Sequence, residues 1–301
     1  MIDVDAVMED CLRICRRAAG VSEEGADIRA EAWVPGRHRQ NRVRRFVTVW
    51  LGDRPRYIAK VPEAADDTKV AGELAILQAI AGCGVPQSRP IAPLGSGFVM
   101  DYVGTADLPD VFSSLGASDR MRTVCRVIDE LARFHQSHRE SAPPPADTWI
   151  DGVIDPVLLT HAPAGPTHGD FGPWNIRVSG DDVWFIDWED YKPGLLANDV
   201  LNFVFTLPVV MFPDCRDFDA LYDLTFHTEN EMRALAAVAL TRYARALRTS
   251  ARGIAQLLPY FCAYQIRRFE AEGRSAAHLF YGPFLRRWRG DRVGWIESLD
   301  D

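Results

Sequence analysis

Apolar positions change their spacing twice along the chain. Over residues 5–19, Val7, Met8, Leu12, Ile14 and Cys15 fall on or near one helical face, which predicts an amphipathic helix. From Ile28 to Pro62 the runs "IRAEAWVPG", "RRFVTVWLGD" and "PRYIAKVP" are short and rich in β-branched and aromatic residues, with Gly36, Gly52-Asp53 and Pro55 between them. They predict three antiparallel strands. "DDTKVAGELAILQAIAGCG" returns to helical spacing, with Asp66, Asp67 or Thr68 to cap it and Gly82 or Gly84 to end it. "IAPLGSGFVMDYVG" supplies two more strands. Gly104 then opens a polar stretch, the expected crossing from a first lobe, 1–103, into a second, 104–301.

The second part reads as mostly helical. Val124, Val127, Ile128, Leu131 and Phe134 share a helical stripe in "DRMRTVCRVIDELARFHQSH". "SAPPPADTW" reads as a surface loop, and "THGDFGPWNIRVSGDDVWFIDWED" as loop, strand, turn and strand. Further helices are expected at 198–206, 216–226, 229–248 and 252–271. The pattern has no internal repeat. The fold class is α+β: an antiparallel sheet with a helix, then a helical lobe.

Composition narrows the function. With 301 residues and 47% hydrophobic content the chain can bury a large core. No apolar run approaches the roughly 18 residues of a membrane span. The first residues are acidic before they are basic, unlike an export signal, so a cytoplasmic location is expected, without membrane contact. Six cysteines occur with no CxxC pair, which points to small buried apolar residues rather than a zinc site. The net charge of −8 argues against a nucleic-acid partner. Residues 1–100 carry 14 Lys+Arg and 13 Asp+Glu, leaving 20 against 29 in the remainder. An acidic second part favours a cationic ligand.

Chemistry concentrates in "GPTHGDFGPWNIRV", residues 165–178. Glycines and prolines keep this stretch out of helix and strand, so His168, Asp170 and Asn175 are free to face different tasks. Trp174 is expected to anchor the loop in the core. Asp187 follows after "WFI", a strand that would bring the chain back beside the loop. Two carboxylates and an amide form an all-oxygen set, suited to a hard cation such as Mg²⁺.

"HGDFGPWN" and "FIDWED", in that order, resemble the aminoglycoside phosphotransferase/choline kinase type of small-molecule kinase, which has a two-lobed protein-kinase-like fold. The resemblance covers most of residues 28–206. It implies Asp170 as the catalytic base and Asn175 and Asp187 as Mg²⁺ ligands. "YIAKVP" places Lys60 as the phosphate-pairing lysine and "VAGELAIL" places Glu73 as its partner, with Glu63 a weaker rival. "FVMDYVGTADL" resembles a kinase hinge, where the Asp101 carbonyl and the Val103 amide would meet adenine. Asp199 in "LLANDVLNF" would brace the catalytic loop, and His168 is structural by the same pattern. ATP is the expected donor, with GTP as its rival.

The sequence departs from the pattern at the phosphate loop. "VPGRHRQNRVRRF" has one glycine, Gly36, among Arg37, Arg39, Arg42, Arg44 and Arg45. Either Gly36 and an arginine cover the phosphates, or the hairpin is a solvated basic surface. That departure leaves a nucleotide-binding pseudokinase or scaffold as the alternative to an active enzyme. A protein kinase is less favoured, because HRD, DFG and APE are missing and about ten residues separate Asp187 from the next helix. The acceptor is expected to be a small hydroxylated molecule, an aminoglycoside, other antibiotic or amino-alcohol. Its amine would meet Asp214, Asp217, Asp219, Asp223, Glu229 or Glu231, or stack on Trp188, Tyr191, Trp288 or Trp295. Antibiotic resistance would be the matching role. A monomer or homodimer is expected.

Overall fold

The computed structural model describes residues 3–21, 27–35, 43–64, 66–138, 162–273, 277–290 and 293–299. Gly36, Arg37, His38, Arg39 and Arg42, and the segment "SAPPPADTW", lie outside them. The chain forms two compact units, Met1–Thr105 with Trp184–Asp190, and Ala106–Val183 with Tyr191–Asp301.

In the smaller unit, helix α1 (Val4–Ala19) starts on an Asp3 cap and ends at Gly20 in the left-handed region. Strands β1 (Ile28–Trp33), β2 (Arg44–Leu51), β3 (Arg54–Pro62), β4 (Pro90–Leu94) and β5 (Gly97–Asp101) form an antiparallel sheet of order β1-β2-β3-β5-β4. One sheet face packs on α1. Cys11 and Cys15 are fully buried there against Val47, Val49, Tyr57, Ala59, Val61 and Val99. The Cys11 contact, and then burial, push the Cys15 thiol far up, so it is an inert apolar group. Helix α2 (Lys69–Ile80) begins after Thr68, with Asp67 Oδ1 accepting the Lys69 N–H at 3.2 Å. At Gly97 a Cβ would lie 2.2 Å from the Lys60 carbonyl, so only glycine lets β5 pass this close to β3.

Nothing in the hydrophobic pattern announces that Trp184–Asp190 returns to this unit. The Phe185 N–H donates to the Pro86 carbonyl at 2.7 Å, and Gln87 bridges Phe185 in parallel register. Trp188–Asp190 then forms one 3-10 turn.

The larger unit opens with β6 (Ala106–Asp107), α3 (Leu108–Phe112) and α4 (Ala117–Ser137). The α4 stripe of Val124, Val127, Ile128, Leu131 and Phe134 is buried as its spacing predicts. β7 (Ala164–Thr167), β8 (Ile176–Ser179), β9 (Asp182–Phe185), whose last two residues belong to the smaller unit, and β10 (Lys192–Leu195) follow. β7 pairs antiparallel with β10, and β8 lies between β6 and β9. The short β6, β7 and β10 carry too few residues to show an alternation.

The helices are α5 (Ala197–Met211), α6 (Phe218–Phe226), α7 (Glu231–Leu247), α8 (Ala251–Gln256), α9 (Leu258–Ala271), α10 (Ala277–Gly290) and α11 (Gly294–Glu297). Two expectations need correction, and two further helices are added. The helix expected at 198–206 continues through a buried Pro208 to Met211. The one at 252–271 is two helices, because Pro259 opens a new first turn. The segments 277–290 and 294–297, left unassigned by the pattern, are helical. Around them Phe205, Phe261, Phe284, Tyr222 and Phe226 build an aromatic core, and Trp295 lies parallel to Phe226.

Candidate active site

The smaller unit gathers charge around Lys60. Its ammonium lies on the sheet face opposite α1, 2.6 Å from Glu73 Oε2, 2.6 Å from Asp187 Oδ1 and 3.5 Å from Glu189 Oε2. Arg44 pairs with Asp67 at 3.0 Å and with Glu189, and Lys69 pairs with Asp190. Three basic groups thus face five carboxylates. Burial works against the Lys60 ammonium, but Asp187, Glu73 and Glu189 outweigh it and raise its pKa. Arg44 is raised in the same way, by Glu189 first, over the cost of burial. Burial also pushes Glu73 up; Lys60 opposes this, and the neighbouring Asp187 and Glu189 add to it. For Glu73 burial comes first and the surplus of carboxylates adds to it; for Lys60 and Arg44 that surplus overcomes burial.

Backbone geometry adds to the picture. Asp187 has φ 63°, a left-handed conformation that few non-glycine residues adopt. The next N–H along, Trp188, donates to Glu73 Oε1 at 3.0 Å, so Glu73 holds Lys60 with one oxygen and the Asp187 turn with the other. Glu73, Asp187 and Glu189 each offer an oxygen, all within 4.8 Å of one another. Opposite Lys60 in register stand Phe46 on β2 and Phe98 on β5. Phe46 stacks on Trp33 at 4.9 Å between centroids, and Trp33 Nε1–H donates to Thr48 Oγ1 at 3.0 Å. Trp33 is 40% exposed.

The larger unit shapes the loop after β7 by hydrogen bonding. Asp199 accepts the His168 N–H at 2.7 Å and the Gly169 N–H at 3.1 Å. His135 sits between Asp199 (3.2 Å) and the Tyr243 hydroxyl (2.5 Å). Gly169 has φ 84°, and its carbonyl accepts from Arg268 at 2.6 Å. Asn175 Nδ2 donates to the Asp170 carbonyl at 2.7 Å and approaches its Oδ2 at 3.4 Å, closing the loop over a 3-10 turn at Pro173–Asn175. His168 is fully buried.

Lys60, Glu73 and Asp187 are thus brought together in one unit, and Asp170 and Asn175 in the other. Asp101 ends β5 with its side chain on Arg89 at 2.9 Å; Val103 follows two residues on, outside any strand. Glu63, the rival of Glu73, is taken by Arg45 at 2.7 Å. Gly36 lies outside the described residues.

Other expectations change. Trp174 is 42% exposed and does not anchor the loop; the 3-10 turn carries it outward, and its ring covers Gly172, where a Cβ would meet it at 2.6 Å. Arg44 and Arg45 are held by carboxylates rather than exposed on a basic surface. Asp217 caps α6, Asp223 pairs with Arg287 at 2.5 Å and Glu231 with Arg120 at 2.7 Å. Trp188 and Trp295 are buried. Sequence reasoning did not single out Glu189, His135, Tyr243 or Arg268. The contacts Glu189–Arg44, His135–Asp199, His135–Tyr243 and Arg268–Gly169 each span 64 to 145 residues of chain, beyond any local pattern.

The model of the phosphotransferase enzyme family (APH) matches residues 39–155 and 148–258. Among solved structures, the fold is similar to glucosamine kinase in complex with glucosamine, ADP and inorganic phosphate, at 18% identity and TM-score 0.51, over 93% of this chain and 84% of that one. It is also similar to a thermostable mutant of aminoglycoside phosphotransferase APH(4)-Ia, apo form, at 14% identity and TM-score 0.50, over 93% of this chain and all (100%) of that one. No curated protein matches the chain by sequence. The fold is therefore the protein-kinase-like α+β fold of small-molecule phosphotransferases. The chain belongs to the phosphotransferase enzyme family, whose members transfer phosphate to hydroxyl groups of small molecules.

Proposed function

We propose that the protein is a Mg²⁺-dependent O-phosphotransferase that moves the γ-phosphate of ATP onto a hydroxyl of a small molecule. The observation that carries this is the Lys60 ammonium at 2.6 Å from both Glu73 and Asp187. A lysine so placed is aimed by Glu73 and can exchange Asp187 for the phosphates of a nucleotide. The glucosamine kinase structure, which holds ADP, supports nucleotide use. The stacked Trp33–Phe46 pair on the same sheet face suits a flat base, and the Asp101 carbonyl and Val103 amide are the proposed hinge partners of adenine.

The residues fit a hard cation. The surplus of carboxylates around Lys60 is all oxygen, and Asp187 is the most exposed of the three, at 34% of its side chain. Asp187 and Asn175 are the proposed ligands, Asn175 offering Oδ1 because its Nδ2 is committed to Asp170. When bound, Mg²⁺ neutralises charge on the phosphates. Asp170 orients the acceptor hydroxyl and takes its proton. The acceptor oxygen forms a bond to the γ-phosphorus while the bond to the bridging oxygen breaks, and ADP leaves. Asp199 fixes the backbone on which Asp170 stands.

The expected test is ADP release from Mg·ATP with a panel of hydroxylated acceptors, lost in Asp170→Ala. Nucleotide binding without turnover would mark the scaffold alternative instead. Of the acidic residues expected to meet an amine, Asp217, Asp223 and Glu231 serve caps and ion pairs, which removes much of the support for a cationic acceptor. Among the described residues no helix is long and apolar enough to cross a membrane.

A further inference from the structure

A narrow crevice opens beside the catalytic loop, with a volume of about 20 Å³, lined by Thr167, Gly169, Lys192, Asn198, Tyr264 and Gln265 together with Pro193 and Gly194. That is room for one water-sized group. Gly169 immediately precedes Asp170. No lining residue is acidic. Lys192 places its ammonium 4.8 Å from the Tyr264 ring centroid. Thr167 and Gln265 are already engaged: Thr167 Oγ1 donates to the Lys192 carbonyl at 2.9 Å, and Gln265 Oε1 accepts from Arg268 at 3.3 Å. Asn198 Oδ1 is buried without a partner. One turn further along α5, Asn202 is 2% exposed with both side-chain amide atoms unpartnered. Asn202 does not line the crevice; the buried, unpartnered Asn198 Oδ1 of a lining residue is the atom that calls for a hydrogen-bonding guest there.

We propose that this crevice is an acceptor subsite that takes a hydroxyl of a neutral polyol, such as a sugar or cyclitol, and disfavours amine-bearing acceptors. The proposal rests on the phosphotransferase reading and names its substrate class. Three small polar groups compete for such a place. An ammonium can donate to Asn198 Oδ1 but meets the Lys192 charge. A carboxylate satisfies Lys192 but brings no proton to Asn198 Oδ1. A hydroxyl accepts from Lys192 and donates to Asn198, so it alone meets both demands. The basic Arg268, on the Gly169 carbonyl, adds to the bias against cations.

The test uses matched acceptors: glucose against glucosamine, and myo-inositol against 2-deoxystreptamine. ADP release is followed for the wild type, Lys192→Glu and Asn198→Leu. Wild type should favour the neutral member of a pair by at least about tenfold in kcat/KM. Lys192→Glu should narrow or reverse that ratio. Asn198→Leu should raise KM for the neutral acceptor about tenfold. Equal or better use of the amine-bearing member by wild type overturns the proposal. So does an unchanged ratio in Lys192→Glu, which would leave the crevice a water site. ATP hydrolysis with no neutral polyol phosphorylated also overturns it. Absence of any nucleotide turnover would instead remove the phosphotransferase reading itself.

Discussion

The two units hold their candidate groups by different means. Around Lys60 the contacts are ion pairs between buried side chains, in surplus on the acidic side. Around Asp170 they are hydrogen bonds to the backbone, from Asp199, Arg268 and Asn175. A side-chain ion pair can be exchanged for a ligand of the same charge. A backbone bond cannot be exchanged without moving the chain. The smaller unit is therefore built to trade partners, and the larger one to keep a loop still.

The largest expected effect breaks the first arrangement. Lys60→Met leaves Glu73, Asp187 and Glu189 without their shared cation and should cost about 3–5 kcal/mol, read by thermal or urea unfolding. The double variant Lys60→Met/Glu73→Gln should recover part of that loss, because one buried charge leaves with the other. Equal instability of single and double variants would mean that Lys60 acts mainly through packing.

Next comes the second arrangement. Asp199→Ala orphans two backbone N–H groups and should cost about 3 kcal/mol, at roughly 1.5 per bond to a charged acceptor. Asp199→Asn keeps one good acceptor and should cost less. If ion pairing rather than backbone bonding dominated here, the two variants would be equally destabilised.

A pH titration separates the two units without mutation. The folded Lys60 pKa is raised above its ordinary value of 10.5. Its contribution is therefore whole below pH 10.5, and falls as pH rises from there through the higher folded value. Alkaline unfolding should be steeper in wild type than in the Lys60→Met/Glu73→Gln variant, while Asp199→Asn should follow the wild-type slope. The smallest effect is expected at Trp174→Ala, a half-exposed side chain, within about 0.5 kcal/mol.

Legibility in the sequence followed distance along the chain. Lys60, Glu73, Asp170, Asn175 and Asp187 stand in short ordered runs, and the strands and helices that carry them have clear periods. Glu73's grip on Lys60 and the bracing of residues 168–169 by Asp199 are present as geometry. Glu189 and Arg44 meet across 145 residues, and His135 and Tyr243 across 108, so neither pair leaves a local pattern. A large aromatic in a glycine- and proline-rich loop suggests an anchor, whereas at Trp174 the 3-10 turn decides which way the ring points. The acidic excess after residue 100 suggested a cationic guest. Net charge does not reveal that three of the carboxylates cap a helix or face Arg120 and Arg287.

The most direct test of the account is steady-state ADP release from Mg·ATP with a phosphorylated acceptor, comparing wild type with Asp170→Ala, alongside nucleotide binding by calorimetry. With Asp170 as the proposed acceptor of the hydroxyl proton, its removal should lower kcat by about 10²–10⁴-fold and leave nucleotide affinity within about threefold. Wild-type turnover in Asp170→Ala would contradict the assignment of the loop, and with it the account of why the larger unit holds that loop by its backbone.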